Sequence, residues 1–216
     1  MVEFVANPMT ENENHTADAI LDAATGIFAE KGYDGARVDE LAEAAGVNKA
    51  TLYYQIGDKE ALYHAVLERD FRRTADKIET AMLDSDDCEE RIRRFIMEFA
   101  TVIADKRELA PLLLREIVSG GSHLPDAALL QMGRILNHLT TALQSGVQSK
   151  RFRPVNVFML HMMIVGSLTL YAVNEPIRRR AASARPELFG EKHFIDIEQA
   201  GDEVADLVLA AIRNQE

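Results

Sequence analysis

Apolar residues recur at three- and four-residue spacing along most of this chain, the period of amphipathic helices. Ile20, Ala24, Ile27 and Phe28 form a first stripe, with Thr16 as its expected N-cap and Gly32 as its end. Val38, Leu41, Ala42 and Ala45 follow on a helix of barely two turns, closed by Gly46. Asn48 is expected to cap a short helix from Lys49 to about Gln55. Asp58 is expected to cap a longer one from Lys59 to about Leu83, with Leu62, Tyr63, Val66, Leu67 and Phe71 inward. Residues 1–15 show no period and are expected to form a flexible arm.

The remainder continues in the same period. Asp87 and Glu90 stand at capping-box spacing before a stripe of Ile92, Phe95, Ile96, Phe99, Val102 and Ile103. Pro111 suits the first turn of a helix that stops at Gly120-Gly121, and Pro125 precedes a long helix with Leu129, Met132, Leu136, Leu139 and Leu143. After Pro154, Val157–Ala172 is apolar on nearly every side, but it falls short of the ~20 residues a membrane span needs, so a buried helix is expected. A last helix, about Asp196 to Asn214, carries Ile197, Val204, Leu207, Val208 and Ala211. Nothing alternates as a strand does. The expected fold is all-α: a three-helix helix-turn-helix domain (16–62, motif about 37–56), a connecting helix (63–83) and a larger helical domain (84–216).

The stretch GVNKATLYYQIGDKEAL, residues 46–62, carries the chemistry. A helix-turn-helix brings two short helices together at a steep angle. Ala42 and Ala45 leave the room, Gly46 makes the turn and Val47 plugs it from beneath. The second helix presents Asn48, Lys49, Ala50, Thr51, Tyr53 and Tyr54, while Leu52 and Ile56 hold it to the core. Lys49 can meet a phosphate or a guanine edge, and Thr51 a base or a thymine methyl. The tyrosine hydroxyls suit phosphate oxygens. Two adjacent tyrosines cannot both point inward, and Tyr53 is expected to be the partly packed one. Amides following Asp58, helped by Lys59, offer a second phosphate anchor.

Charge pulls the other way. The chain has a formal net charge of −11, and residues 1–60 hold four Lys/Arg against twelve Asp/Glu. Phosphate neutralisation supplies most non-specific affinity, so either the few basic groups focus on one face or the chain does not bind DNA. The alternative is an all-α small-molecule-binding protein or enzyme that has lost DNA binding. No nucleophile elbow, phosphate loop, metal cluster or paired-carboxylate motif supports an enzyme, and no cofactor or metal is called for. The lone Cys88, the absence of a signal-peptide pattern and the lack of a membrane span lead to an expected cytoplasmic location.

The run AILDAATGIFAEKGYDGARVDELAEAAGVNKATLYYQIGDKEAL resembles the DNA-binding domain of the TetR family of transcriptional regulators. It has the apolar helix ending in Phe, the Gly-Tyr, the V-x-x-L-A-x-x-A-G-V core and the Lys-Glu-x-Leu. The resemblance implies a groove-facing set of Asn48, Lys49, Thr51, Tyr53 and Tyr54, with Arg37 and Lys59 on flanking phosphates. It departs from the family at Ile56, usually aromatic, at Gln55, often His or Tyr, and at Arg37, usually Thr. It also implies a repressor of double-stranded DNA at a palindromic operator, released by a small-molecule effector.

The larger domain then has two surfaces to supply. The helices at 154–172 and 196–214 are candidates for a homodimer seam, through Val157, His161, Val204, Leu207, Val208 and Ala211, or for the core of a monomer. The resemblance implies that they form a four-helix bundle across a two-fold axis. Met97, Phe99, Met132, Met163 and Tyr171 are soft or aromatic groups that either line an adaptable pocket or fill the core. Arg178, Arg179 and Arg180 are expected on a solvated helix end or loop.

Overall fold

The computed structural model describes residues 11–190 and 194–214, and side chains from Ala17 onward. It is built from helices α1 (Glu11–Gly35), α2 (Val38–Ala44), α3 (Lys49–Gln55), α4 (Lys59–Leu83), α5 (Cys88–Asp105), α6 (Leu109–Val118), α7 (Asp126–Gln148), α8 (Val157–Val173), α9 (Glu175–Ala184), α10 (Pro186–Phe189) and α11 (Ile197–Ile212). No strand occurs among the described residues, and the all-α expectation holds.

Local chemistry sets most boundaries. Asn48 caps α3 by accepting from the Thr51 amide at 2.8 Å, and Asp58 caps α4 by accepting from the Ala61 amide at 2.8 Å. Asp87 caps α5 through the amides of Glu89 and Glu90, but the expected reciprocal box is missing: the Glu90 carboxylate accepts from Arg94 at 2.8 Å instead. A complete box forms at α11, between Asp196 and Gln199. Thr16 is not a cap, because α1 already begins at Glu11; the rest of the expected arm, residues 1–10, lies outside the described residues. Gly32 interrupts α1 at φ 72, ψ 177, a conformation that a Cβ would disfavour.

Ile20, Ala24 and Phe28 of α1, Leu41 of α2, Leu52 of α3 and Leu62, Tyr63 and Val66 of α4 bury together as the core of the first three-helix unit. α4 continues away from it to pack on α5 and α7. The tightest pairing in the larger part is α5 against α11. Its close approach depends on Gly201, where an added Cβ would stand 2.8 Å from Ala100 Cβ. Phe152, 1% exposed, plugs the end of α7 so closely that a Cβ on Gly146 would lie 1.9 Å from its ring.

Two expectations change. α8 is not buried all round: Leu160, Ile164 and Leu168 face the core, while Phe158, Met159, Met163 and Leu170 are exposed. The Arg178–Arg180 run is not a loop but the middle of α9, with Arg178 half-buried.

Candidate nucleic-acid interface and effector cavity

The α2–α3 corner is a Schellman turn. The Val47 amide donates to the Ala42 carbonyl and the Gly46 amide to the Glu43 carbonyl, both at 3.0 Å, with Gly46 at φ 67. This fixes α3 with Leu52 downward and its opposite face in solvent. Tyr54 is 82% exposed and Tyr53 48%, so both face solvent, with Tyr53, expected to be partly packed, the less open of the two. Asn48, Lys49 and Ala50 are exposed beside them, and Thr51 is half-buried. Arg37, at the N-cap of α2, is exposed and its side chain makes no capping hydrogen bond among the described residues. The lysines are engaged: Lys49 pairs with Asp39, and Lys31 with Glu40 at 2.9 Å. Lys59 is engaged within the protein. Its ammonium donates to the Ala36 carbonyl at 3.1 Å and lies 4.4 Å from the centre of the Tyr33 ring, tying the start of α4 to the α1–α2 corner.

Two polar struts join this unit to the larger domain, and the sequence pattern signalled neither. In the first, Arg115 of α6 donates to the carbonyls of Ala29, at 2.9 Å, and Glu30 at the end of α1. Beside it the Tyr63 hydroxyl of α4 donates to Glu116, whose second carboxylate oxygen is buried without a partner. Burial, reinforced by the Glu116 carboxylate, pushes the Tyr63 phenol far above its ordinary value, so it remains a donor. His123 stacks on Tyr33 at 4.1 Å and closes this cluster. In the second strut, Lys106 at the end of α5 reaches Asp70 of α4 at 2.6 Å. Asp70 also holds the buried Arg69, which pairs with Asp22 of α1 at 2.8 Å.

Next to Lys106 opens a cavity of about 900 Å³, between the α5–α6 turn, the end of α8, α9 and the segment leading into α11. Tyr171 lines it; its hydroxyl donates to the Ile195 carbonyl at 2.8 Å.

Two family profiles match the chain. Residues 20–66 match "Bacterial regulatory proteins, tetR family", and residues 89–184 match "Tetracyclin repressor-like, C-terminal domain". The chain belongs to the TetR family. It is a DNA-binding transcriptional regulator of the helix-turn-helix type. Among relatives of this TetR-family chain, the transcriptional regulator RutR of Escherichia coli is 29% identical over 154 residues, covering 71% of this chain and 72% of that protein. The transcriptional repressor NicS of Pseudomonas putida is 25% identical over 167 residues, covering 76% and 79%. In fold, it is similar to the regulator FadR of Bacillus subtilis, solved with stearoyl-CoA, at a TM-score of 0.71 and 20% identity over 91% of this chain and 99% of that one.

Within this TetR-family architecture the expected pocket set is dispersed. Only Tyr171 reaches the cavity. Phe99 is buried in the α5 core stripe and Met132 packs partly on the core. Met97 lies between a shallower cleft of about 600 Å³ and Gly201 of α11. Met163 is exposed on the outer face of α8. The expected seam divides as well. Leu207, 70% exposed, and Ala211 face outward on α11, whereas Val208 is 5% exposed and Val204 packs on the core. Val157 also packs inward, and His161 sits against the Phe95 ring at 6.3 Å with its Nδ1 buried and unpartnered. The outward set is instead Phe158, Met159, Met162, Met163 and Leu170 of α8 with Leu207 and Ala211 of α11.

Proposed function

We propose that this regulator is a cytoplasmic homodimeric repressor that sits on a palindromic operator and leaves it when a small-molecule effector occupies the larger domain. The exposed face of α3 carries the reading of DNA: Asn48, Lys49, Thr51, Tyr53 and Tyr54 stand together on a helix whose other side is pinned by Leu52. Arg37 flanks them on the same unit. Dimerisation is supported by the apolar outer faces of α8 and α11, since members of the family act as dimers and a two-fold partner would cover both faces. Two α3 helices related by such an axis would meet half-sites about one DNA turn apart.

The two struts give the effector a mechanical route. The cavity touches the α5–α6 turn and the first turn of α6. Movement there reaches α4 through Lys106 and Asp70, and α1 through Arg115 at the other end of α6. An effector that binds better when these struts shift would move the population away from the operator-fitting spacing.

The test is selection of bound sequences from random double-stranded DNA by the purified full chain at near-physiological salt. Enrichment of a palindrome is expected. Tyr54→Phe and Lys49→Ala should each weaken binding to it by roughly 1–3 kcal/mol while the circular dichroism spectrum stays unchanged. A folded dimer that enriches nothing, or two variants that bind as the parent does, would refute the reading.

A further inference from the structure

The volume of the cavity beside Tyr171, about 900 Å³, lies within the ~300–1,000 Å³ of small-molecule sites. Much of its wall is apolar: Ile103 from α5, Pro111 from α6, Val173 from α8 and Ile195 before α11. Three arginines and three carboxylates also line it, and their pairing decides which charge is left over. Arg179 is hydrogen-bonded to Glu175, with contacts of 2.8 and 2.6 Å, and this guanidinium, helped at longer range by Arg107 and Arg178, holds the Glu175 carboxyl below its ordinary value. Asp196 is occupied as the cap of α11, accepting from the Gln199 amide at 2.7 Å. Glu198 points to solvent at the rim.

The two cations that remain have unused donors. Among the described residues Arg107 makes no hydrogen bond and no close ion pair, and only the longer-range field of Glu175 acts on it. Arg178 lies with its guanidinium 3.5 Å from the centre of the Tyr171 ring, donates once to the Tyr171 carbonyl through Nη1, and keeps a buried Nε–H with no acceptor among the described residues. Buried donors of this kind are seldom left unmatched in folded proteins. An incoming anion would take the Nη2 donors that Arg178 leaves unused and give the Arg107 charge, which lines the same cavity, a partner.

We propose that this cavity binds an amphipathic organic anion, a carboxylate on an apolar body. Its oxygens would meet the unused Nη2 of Arg178 and Arg107, and its body would lie along Tyr171, Ile103 and Pro111. The inference rests on the effector reading above for its regulatory meaning, but not for its chemistry. A planar guanidinium suits a carboxylate better than a point charge would. Apolar walls exclude small inorganic anions as the best fit, because they would leave most of the surface in contact with water.

Calorimetric titration of the full-length protein tests it, with octanoate and phenylacetate set against 1-octanol, 2-phenylethanol and octylamine. At least one carboxylate should bind saturably and about tenfold or more tightly than the alcohol or amine sharing its body, a difference of about 1.4 kcal/mol. Arg107→Gln alters an exposed side chain and should cost that carboxylate about tenfold while leaving the alcohols unchanged. Equal binding of alcohol and acid, tighter binding of the amine, an indifferent Arg107→Gln, or no saturable binding by either carboxylate would overturn the proposal. Operator affinity is measured separately. A carboxylate that binds through Arg107 yet leaves operator affinity unchanged supports this ligand class and defeats the effector reading.

Discussion

Tyr63→Phe isolates one hydrogen bond across the junction between the DNA-reading unit and the larger domain. Tyr63 is fully buried, and its ring meets Phe28 edge-on at 4.7 Å, a contact that phenylalanine keeps. What disappears is the hydroxyl that donates to Glu116, a side chain itself 4% exposed. Because the other Glu116 oxygen already lacks a partner, the substitution strands a whole buried carboxylate. Stranding a buried neutral acceptor costs ~1–3 kcal/mol and a charged one more, so about 3 kcal/mol is expected. That is a large share of the ~5–15 kcal/mol by which folded domains are stable. Replacing both partners, as in Tyr63→Phe with Glu116→Leu, removes the stranded group, so the double variant should be more stable than the two single losses added together, by about 1–2 kcal/mol. Urea unfolding followed by circular dichroism, at one fixed protomer concentration, measures all four corners of the cycle. Tyr63→Phe within about 0.5 kcal/mol of the parent, or strictly additive losses, would refute the account of this strut.

Leu207→Glu should separate the dimer without unfolding the chain, whereas Val208→Glu, one residue on but buried, should unfold it; sedimentation and circular dichroism distinguish the two. Gly146→Ala should lower stability by about 1–3 kcal/mol, read as a fall in thermal midpoint, because the new methyl collides with Phe152. Burial holds the His161 imidazole below its ordinary value of 6.5, so the unfolded chain takes up the proton first. Its contribution is therefore complete above that value and is lost as the pH falls below it. Denaturation between about pH 7.5 and about pH 5.5 should show this fall in the parent and a flatter curve in His161→Phe; parallel curves would contradict it.

The helices of the reading unit were legible because burial there follows period and caps: Asn48, Asp58 and Gly46 act in the structure as their residue types dictate. Residue type fails where direction matters. Leu207 and Val208 are equally apolar neighbours, but a turn of about 100° between them puts one in solvent and one in the core. The soft groups Met97, Phe99, Met132 and Met163 share a chemistry but point in four different directions. The cavity escaped the pattern for another reason. It is assembled from the ends of α5, α6, α8 and α11 around α9, a helix with no fully buried residue and therefore no apolar stripe to read. Nothing in the sequence places Ala36 and Tyr33 beneath the Lys59 ammonium.

α3 contributes a single fully buried side chain, Leu52. With Leu52 its one fully buried residue and Val47 and Ile56 only partly packed at its ends, α3 should open locally at lower cost than helices buried along their length, and its amides should exchange with solvent sooner. Operator binding would then also order the helix that reads it. In calorimetric terms, association on the correct sequence would release heat beyond that of the contacts made and pay it back as lost chain entropy. Sequences that fail to dock the tyrosines would leave α3 loose, and would show neither term.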